Sequence, residues 1–342
     1  MRRAYQEGVR HYARRNSQSE NVADEDMAFC LPSHSSATSY LASRTQPDLV
    51  EKYSEHWKTL EKSPLHCLHL FPSPHEAREI SQKTGDRLAL ASMVNWLVRD
   101  KLLAAGSGNQ RIDIWASQGE SYVRSKLARV GAYANRRSPE HPANEIIRLG
   151  SGFCEEFADV SMAILRMHER RHPFSKVRAT NGTHSFVLIG DLNQESASEI
   201  AVVDPWVIYP VAHLLDENKW QSNLQVMGVV TPARARADRR AISLGSQPVL
   251  SRYDRGNFTS LFYPNDPAFE LPSKGGHLIK LAADEVGKDG FHIFHVKYAF
   301  SENSLHPYRI EGQNNPVYFD AIPTEYAKFV DAYGRDQGEE FV

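Results

Sequence analysis

The sequence predicts an α+β fold in which a helix that carries a cysteine packs on an antiparallel β-sheet. Apolar residues recur at helical spacing up to about residue 172, and they alternate with polar residues from about residue 176 to residue 204. Short turns separate the alternating stretches, as is typical of antiparallel strands. The 342 residues suffice for one large domain or two modest ones.

The first part of the chain divides into two segments. Residues 1–50 are polar and Ser-rich with few apolar anchors, so we expect a weakly ordered leader. Residues 51–140 are predicted to be a helical segment, with helices over Ser73–Asp100 and Ile112–Tyr133, because both stretches show an apolar stripe.

Residues 141–225 are predicted to form the catalytic core. A short helix over Asn144–Leu149 should stop at Gly150, and the next helix should begin near Cys154 and continue to about His172, before Pro173. The predicted strands that follow are Lys176–Ala179, His184–Ile189 and Ile200–Asp204.

Residues 226–342 are predicted to be an α+β extension that completes the same domain. Phe258–Tyr263, His277–Leu281 and Phe291–Phe300 are predicted strands, and Thr324–Tyr333 is a predicted closing helix.

Composition excludes several classes of protein. The net charge of -2 does not favour nucleic acid as a partner, and no apolar run approaches the roughly 18 residues of a membrane span. The first residues carry no apolar stretch of a secretory signal, which predicts a cytoplasmic protein or export by another route. Three cysteines do not describe a disulfide framework, and a reducing compartment would keep a catalytic thiol free.

Three residues of the core form a predicted catalytic triad, namely Cys154, His184 and Asp204. The glycine-rich bend Gly150–Gly152 would place the sulfur of Cys154 at a helix N-terminus, where the helix dipole favours the reactive thiolate. His184 begins one strand and Asp204 ends the next, so an antiparallel pair can place the carboxylate beside the imidazole. His184 would then accept the thiol proton while Asp204 fixes its tautomer and stabilises the imidazolium.

These residues lie in a pattern that resembles the transglutaminase-like superfamily. That pattern is G-x-C-x-x-x-A, then Leu-Arg, then a His-aromatic strand, then a strand that ends in Asp-Pro. Here it reads Gly152-Phe153-Cys154-Glu155-Glu156-Phe157-Ala158, Leu165-Arg166, His184-Ser185-Phe186-Val187 and Val203-Asp204-Pro205-Trp206. The chain departs from the family at Ser185-Phe186, where Ala-Trp is usual.

The resemblance implies acyl transfer through a thioester on a protein substrate, at a glutamine side chain or a peptide bond, with no metal or cofactor. It also suggests oxyanion or substrate contacts for Phe153, Trp115 and Trp206. The Ser-rich leader is similar to plant-pathogen effectors of the HopX/AvrPphE type, which are virulence proteins delivered into host cells by type III secretion.

Several alternatives remain open from the residues alone. A papain-like cysteine protease has the same order of Cys, His and Asp. His168-Glu169-Arg170-Arg171-His172 spells the H-E-x-x-H motif of zinc metallopeptidases, although its two arginines and Pro173 argue against a buried zinc-binding helix. An inactive binding module on the same frame is also possible, and the triad does not distinguish deamidation, crosslinking and proteolysis. The oligomeric state is not indicated.

Overall fold

A computed structural model describes residues 76–110, 113–114, 117–134, 142–168, 171–180, 184–207, 210, 212–232, 250–266, 268–288 and 308–314. The predictions for the leader, for Phe291–Phe300 and for Thr324–Tyr333 lie outside these ranges.

The described residues form six α-helices and two sheets. The helices are α1 (Gln82–Trp96), α2 (Glu120–Ala134), α3 (Pro142–Leu149), α4 (Cys154–His168), α5 (Arg252–Phe262) and α6 (Gly276–Lys288). The strands are β1 (Arg78–Ile80), β2 (Phe174–Ala179), β3 (His184–Ile189), β4 (Ala201–Val203), β5 (His213–Leu214), β6 (Leu224–Val230) and β7 (Tyr308–Ile310). A π-helical turn, Leu97–Leu102, extends α1, and 3₁₀ turns cover Ala197–Glu199 and Leu215–Glu217.

The larger sheet has five strands in the order β5-β4-β3-β2-β6, and every neighbouring pair is antiparallel. The predicted α+β class with an antiparallel sheet is therefore confirmed. All six residues of the central strand β3 are buried, because α4 packs against β2 and β3. The smaller sheet pairs β1 with β7 in parallel.

The core lies on both faces of the larger sheet. The larger cluster includes apolar residues of α1 to α4 together with Val187 and Ile189 of β3. The smaller cluster includes Phe186 and Leu188, the alternate residues of the same strand. Each fully buried side chain of this kind stabilises the fold by about 1.5–3 kcal/mol, so β3 is held from both sides and the position of its first residue, His184, is well defined.

The first predicted helix, Ser73–Asp100, is shorter in the structure. The chain first forms strand β1, and α1 begins only after Ser81, whose hydroxyl accepts the N–H of Thr84 at 3.2 Å. This N-cap marks the true start of the helix. The helical hydrogen bonding then changes to the π type at Leu97.

Two other helices also differ from the prediction. The predicted helix Ile112–Tyr133 is interrupted: Asp113 and Ile114 are helical, a turn over residues 117–119 follows in which Gly119 has a φ of +91°, and α2 begins at Glu120. The helix predicted to reach His172 ends at His168, and His172 lies in a bend where Arg87 donates to its Nδ1 atom at 3.4 Å.

Two predicted strands are wrong. Phe258–Tyr263 falls in and directly after α5, which begins at a capping box formed by Ser251 and Asp254. His277–Leu281 lies within α6. The predicted boundary after residue 225 also cuts through β6, which belongs to the larger sheet.

Candidate active site

The bend before Cys154 is fixed by a neighbouring loop. Gly150 ends α3 with a φ of +68° and donates its N–H to Ile146 at 2.9 Å, as a glycine at a helix C-terminus commonly does. Ala105 donates to the carbonyl of Gly150 at 3.0 Å, and Gly108 donates to that of Gly152 at 3.2 Å. The two loops therefore run side by side through backbone hydrogen bonds.

Ser151 anchors the same bend from below. Its buried hydroxyl lies 2.6 Å from the carbonyl of Gly106, 2.9 Å from that of Ser121 and 2.8 Å from the hydroxyl of Ser125. These contacts tie the bend to the neighbouring loop and to α2. The residues directly before α4 are thus held in place by hydrogen bonds.

Cys154 is the first residue of α4 and is partly exposed. The carboxylates that follow it are each paired with a cation. Glu155 accepts from Arg178 at 3.0 Å, and Glu156 accepts from Arg129 at 2.8 Å. Their negative charge beside the sulfur is therefore offset, while the positive end of the helix dipole remains.

His184 and Asp204 form a buried pair, with 2.6 Å between Nε2 and Oδ2 and side chains only 1% and 2% exposed. The sheet register explains the pair. Val187 lies opposite Val203, and one further step places Asp204 opposite Phe186. His184 is two residues away on the same face, which makes it a diagonal neighbour of the carboxylate.

The charge state of His184 follows from its surroundings. Burial lowers the pKa of the imidazole, but the charge and hydrogen bond of Asp204, together with the nearby thiol of Cys154, raise the pKa to about 9. The other ring nitrogen, Nδ1, is buried and has no hydrogen-bond partner among the described residues. Because Asp204 occupies Nε2, Nδ1 is the nitrogen that can accept the thiol proton.

Aromatic rings surround this imidazole. The ring centroid of Trp220 lies 4.1 Å from that of His184, Trp206 lies at 4.7 Å, and Phe186 stacks at 5.6 Å. Apolar rings keep water away from the pair, and a lower local dielectric strengthens the attraction between imidazolium and carboxylate.

The structure thus brings together Cys154, His184 and Asp204. Phe153 directly precedes the cysteine, but its N–H already donates to Glu156 at 2.9 Å. That N–H is not available to an oxyanion in this arrangement. Trp115 lies outside the described residues.

Trp206 contacts the site through the face of its ring. Its indole N–H points away to the neighbouring loop, where it donates to the hydroxyl of Ser107 at 2.8 Å and to the side chain of Asn109 at 3.1 Å. In this arrangement the indole N–H is therefore not available to an oxyanion. Instead the ring links His184 to the loop that supports the nucleophile bend.

The zinc motif does not form one helical face. Its second histidine, His172, lies in the bend after α4 and is held by Arg87, whereas the motif needs both histidines one turn apart on a helix. Within the described ranges, no group of three or more His, Cys, Asp or Glu residues is placed to hold a metal ion.

Sequence reasoning missed three components of the site: Trp220, Arg129 and the Ser107–Asn109 segment. Each lies far along the chain from the residues it contacts and carries no local motif. The G-x-C pattern did indicate part of this arrangement, because the close packing of Glu156 requires a glycine at position 152. A Cβ atom at Gly152 would lie 2.5 Å from the Cβ of Glu156.

Comparisons with known proteins add no relative. No family model, curated protein or solved structure matches the chain. Among the described helices, none has the length and apolar character that a bilayer crossing needs.

Proposed function

We propose that this protein is a cysteine-nucleophile acyl-transfer enzyme of the transglutaminase-like kind, which acts on protein amides through a thioester. The observation that carries the proposal is the buried His184–Asp204 pair beside a cysteine at a helix N-terminus. A nucleophile, a base and a group that orients the base are the parts that such chemistry requires.

In the proposed reaction, His184 takes the thiol proton of Cys154 at Nδ1, and the sulfur attacks the amide carbonyl carbon. The tetrahedral intermediate collapses as the imidazolium returns the proton to the leaving nitrogen, which departs as ammonia or an amine. The acyl group remains on the sulfur as a thioester. Water or an amine then attacks the thioester with the imidazole as base, and the free thiol is restored.

The oxyanion needs donors other than Phe153 and Trp206, whose N–H groups are occupied. The first N–H groups of a helix lack intrahelical partners and favour negative charge, so the start of α4 supplies one source. A second candidate is Gln110, whose Nε2 atom is buried without a hydrogen-bond partner among the described residues. Gln110 follows the segment that runs beside Gly152.

The acceptor and the target amide decide the outcome. Water gives deamidation of a glutamine side chain or cleavage of a peptide bond, and an amine gives a crosslink. The similarity of the leader to HopX/AvrPphE-type effectors supports a host protein as substrate. A papain-like protease uses Cys and His in the same order and roles, with Asn in the position of Asp204, and attacks a peptide bond.

The first test is selective alkylation of Cys154 by iodoacetamide at pH 6–7, followed by peptide mapping. We expect Cys154 to react much faster than Cys30 and Cys67, which serve as internal controls. If Cys154 reacts no faster than those two in the folded protein, its thiol is not activated, and the protein is better described as a binding module.

The second test identifies the reaction by intact-mass analysis of casein and of candidate host proteins, with and without a primary amine. Deamidation adds about one mass unit per glutamine, an incorporated amine adds its own mass less ammonia, and proteolysis gives fragments. We expect Cys154→Ala to abolish whichever change the wild type produces. A change that persists in this variant would contradict the assignment of the nucleophile.

A further inference from the structure

A second charged cluster surrounds Phe153, the residue that precedes Cys154. Glu156, in the first turn of α4, has a side chain that is 0% exposed, and its carboxylate accepts the N–H of Phe153 at 2.9 Å. This contact is the reciprocal half of a capping box. Because a Cβ atom at Gly152 would lie 2.5 Å from that of Glu156, the carboxylate side chain is packed tightly under the bend.

A buried carboxylate requires a cation, and Arg129 of α2 supplies it. Its Nε lies 2.8 Å from Oε1 of Glu156, and its Nη2 lies 3.1 Å from Oε2. The guanidinium also lies over the ring of Phe153, 4.4 Å from the centroid. A planar group with two parallel donors can make all of these contacts at once, whereas a lysine cannot.

Arg129 therefore holds Phe153, the residue before the nucleophile, by two contacts. It pairs with the Glu156 carboxylate that accepts the backbone N–H of Phe153, and it lies over the ring of Phe153. The peptide between Phe153 and Cys154 determines where the sulfur points as the helix begins. Burial lowers the pKa of Arg129, but its hydrogen bond to Glu156 and the nearby charges of Glu156, Cys154 and Glu155 raise it above its usual value. The guanidinium therefore also interacts electrostatically with the sulfur of Cys154.

We propose that Arg129 is a positioning residue of the acyl-transfer site, which acts through Glu156 and the ring of Phe153 to hold the sulfur of Cys154 toward His184. This inference rests on the proposed function. It assigns to an arginine of α2 a role that no motif in the sequence marks. A displacement of about 1 Å at a reacting atom can slow a reaction by about 100-fold.

The test compares Arg129→Met, Arg129→Lys and wild type by the rate of Cys154 alkylation from pH 5 to pH 9, at a temperature where each is folded. We expect Arg129→Met to react about 10–100-fold more slowly at pH 6–7, with the midpoint of its pH profile moved upward. Arg129→Lys keeps the charge without the paired donors and should remain at least about tenfold slow.

The matched control is Arg78→Met, which removes a partly exposed arginine from the nearly buried carboxylate of Glu217, away from the nucleophile bend. This variant should lose thermal stability and keep the wild-type alkylation profile. A purely structural role for Arg129 would give the same result as Arg78→Met, and that outcome would overturn the proposal.

The remaining outcomes are also decisive. If Arg129→Met does not fold, Arg129→Lys decides, and a wild-type rate and pH profile in that variant would reject the positioning role. A wild-type Cys154 that reacts no faster than Cys30 and Cys67 would instead refute the proposed function itself. The two failures are therefore distinguishable.

Discussion

Two buried clusters in this protein each contain a carboxylate, yet burial decides the charge state in only one of them. In the candidate active site, burial lowers the pKa of His184, but Asp204 and the thiol of Cys154 raise it to about 9, so His184 and Asp204 favour an ion pair. In the cluster of Glu217, Tyr308 and Arg78, burial raises the pKa of Glu217 to about 7. Glu217 accepts from the hydroxyl of Tyr308 and lies 3.2 Å from Arg78, which joins both strands of the smaller sheet to the 3₁₀ turn after β5.

The difference depends on how the available charge is shared. Asp204 faces the imidazole of His184 at 2.6 Å, and rings cover the pair. Arg78 is divided between Glu217 and Asp216, which it contacts at 2.5 Å, and the negative charge of Asp216 itself raises the pKa of Glu217. Burial therefore decides the state of Glu217, whereas the partner decides that of His184.

The largest expected effect comes from breaking the ion pair with Asp204→Asn. Without the carboxylate charge, burial would lower the pKa of His184, and the imidazole would no longer favour the thiolate. We expect Cys154 alkylation at pH 6–7 to slow by about 10²–10⁴-fold. His184→Ala should react at least as slowly. An Asp204→Asn variant that alkylates at the wild-type rate would show that the pair does not activate the thiol.

The Glu217 cluster should affect how the stability of the protein depends on pH. A carboxyl group whose pKa is raised on folding contributes stability that is fully present below its unfolded pKa of about 4.5 and is lost as pH rises through about 7. The free energy of unfolding should therefore fall by up to about 3 kcal/mol from pH 5 to pH 8. Glu217→Gln should lack this part of the dependence.

Urea denaturation at pH 5, 6, 7 and 8 measures this effect as the difference between wild type and Glu217→Gln. The alkylation rate of Cys154 should be the same in both, since the partners of Glu217, Tyr308 and Arg78, lie in the smaller sheet. A difference in unfolding free energy that stays constant over this range would mean that Glu217 is already ionised at pH 5.

The smallest expected effect concerns the ring that covers the ion pair. Trp220→Ala would admit water to His184 and weaken the attraction from Asp204, so we expect Cys154 alkylation to slow about three- to tenfold, with about 1–2 kcal/mol of stability lost. Trp220→Phe retains a ring face and should recover most of the rate. Equal rates in Trp220→Ala and wild type would show that shielding by this ring is unimportant.

The parts of the site that the sequence predicted correctly are all determined by residues close together in the chain. The glycine bend at Gly150, the helix that begins at Cys154 and the strand that begins at His184 depend on neighbouring residues, and the structure has each of them at the predicted position. The two wrong strands, Phe258–Tyr263 and His277–Leu281, are stretches of five or six residues. At that length an apolar cluster fits a helix as well as a strand.

The sequence by itself determined the order of elements in the core and the identity of Cys154, His184 and Asp204 as candidates, because helical and strand periodicity are local properties of the chain. Only the tertiary structure decided which groups surround them. Trp220 covers His184, Arg129 supports Phe153, and the loop that bonds Trp206 also bonds the nucleophile bend. Such contacts join residues far apart in the chain, and they form only when helices and sheet pack together, so no local pattern records them.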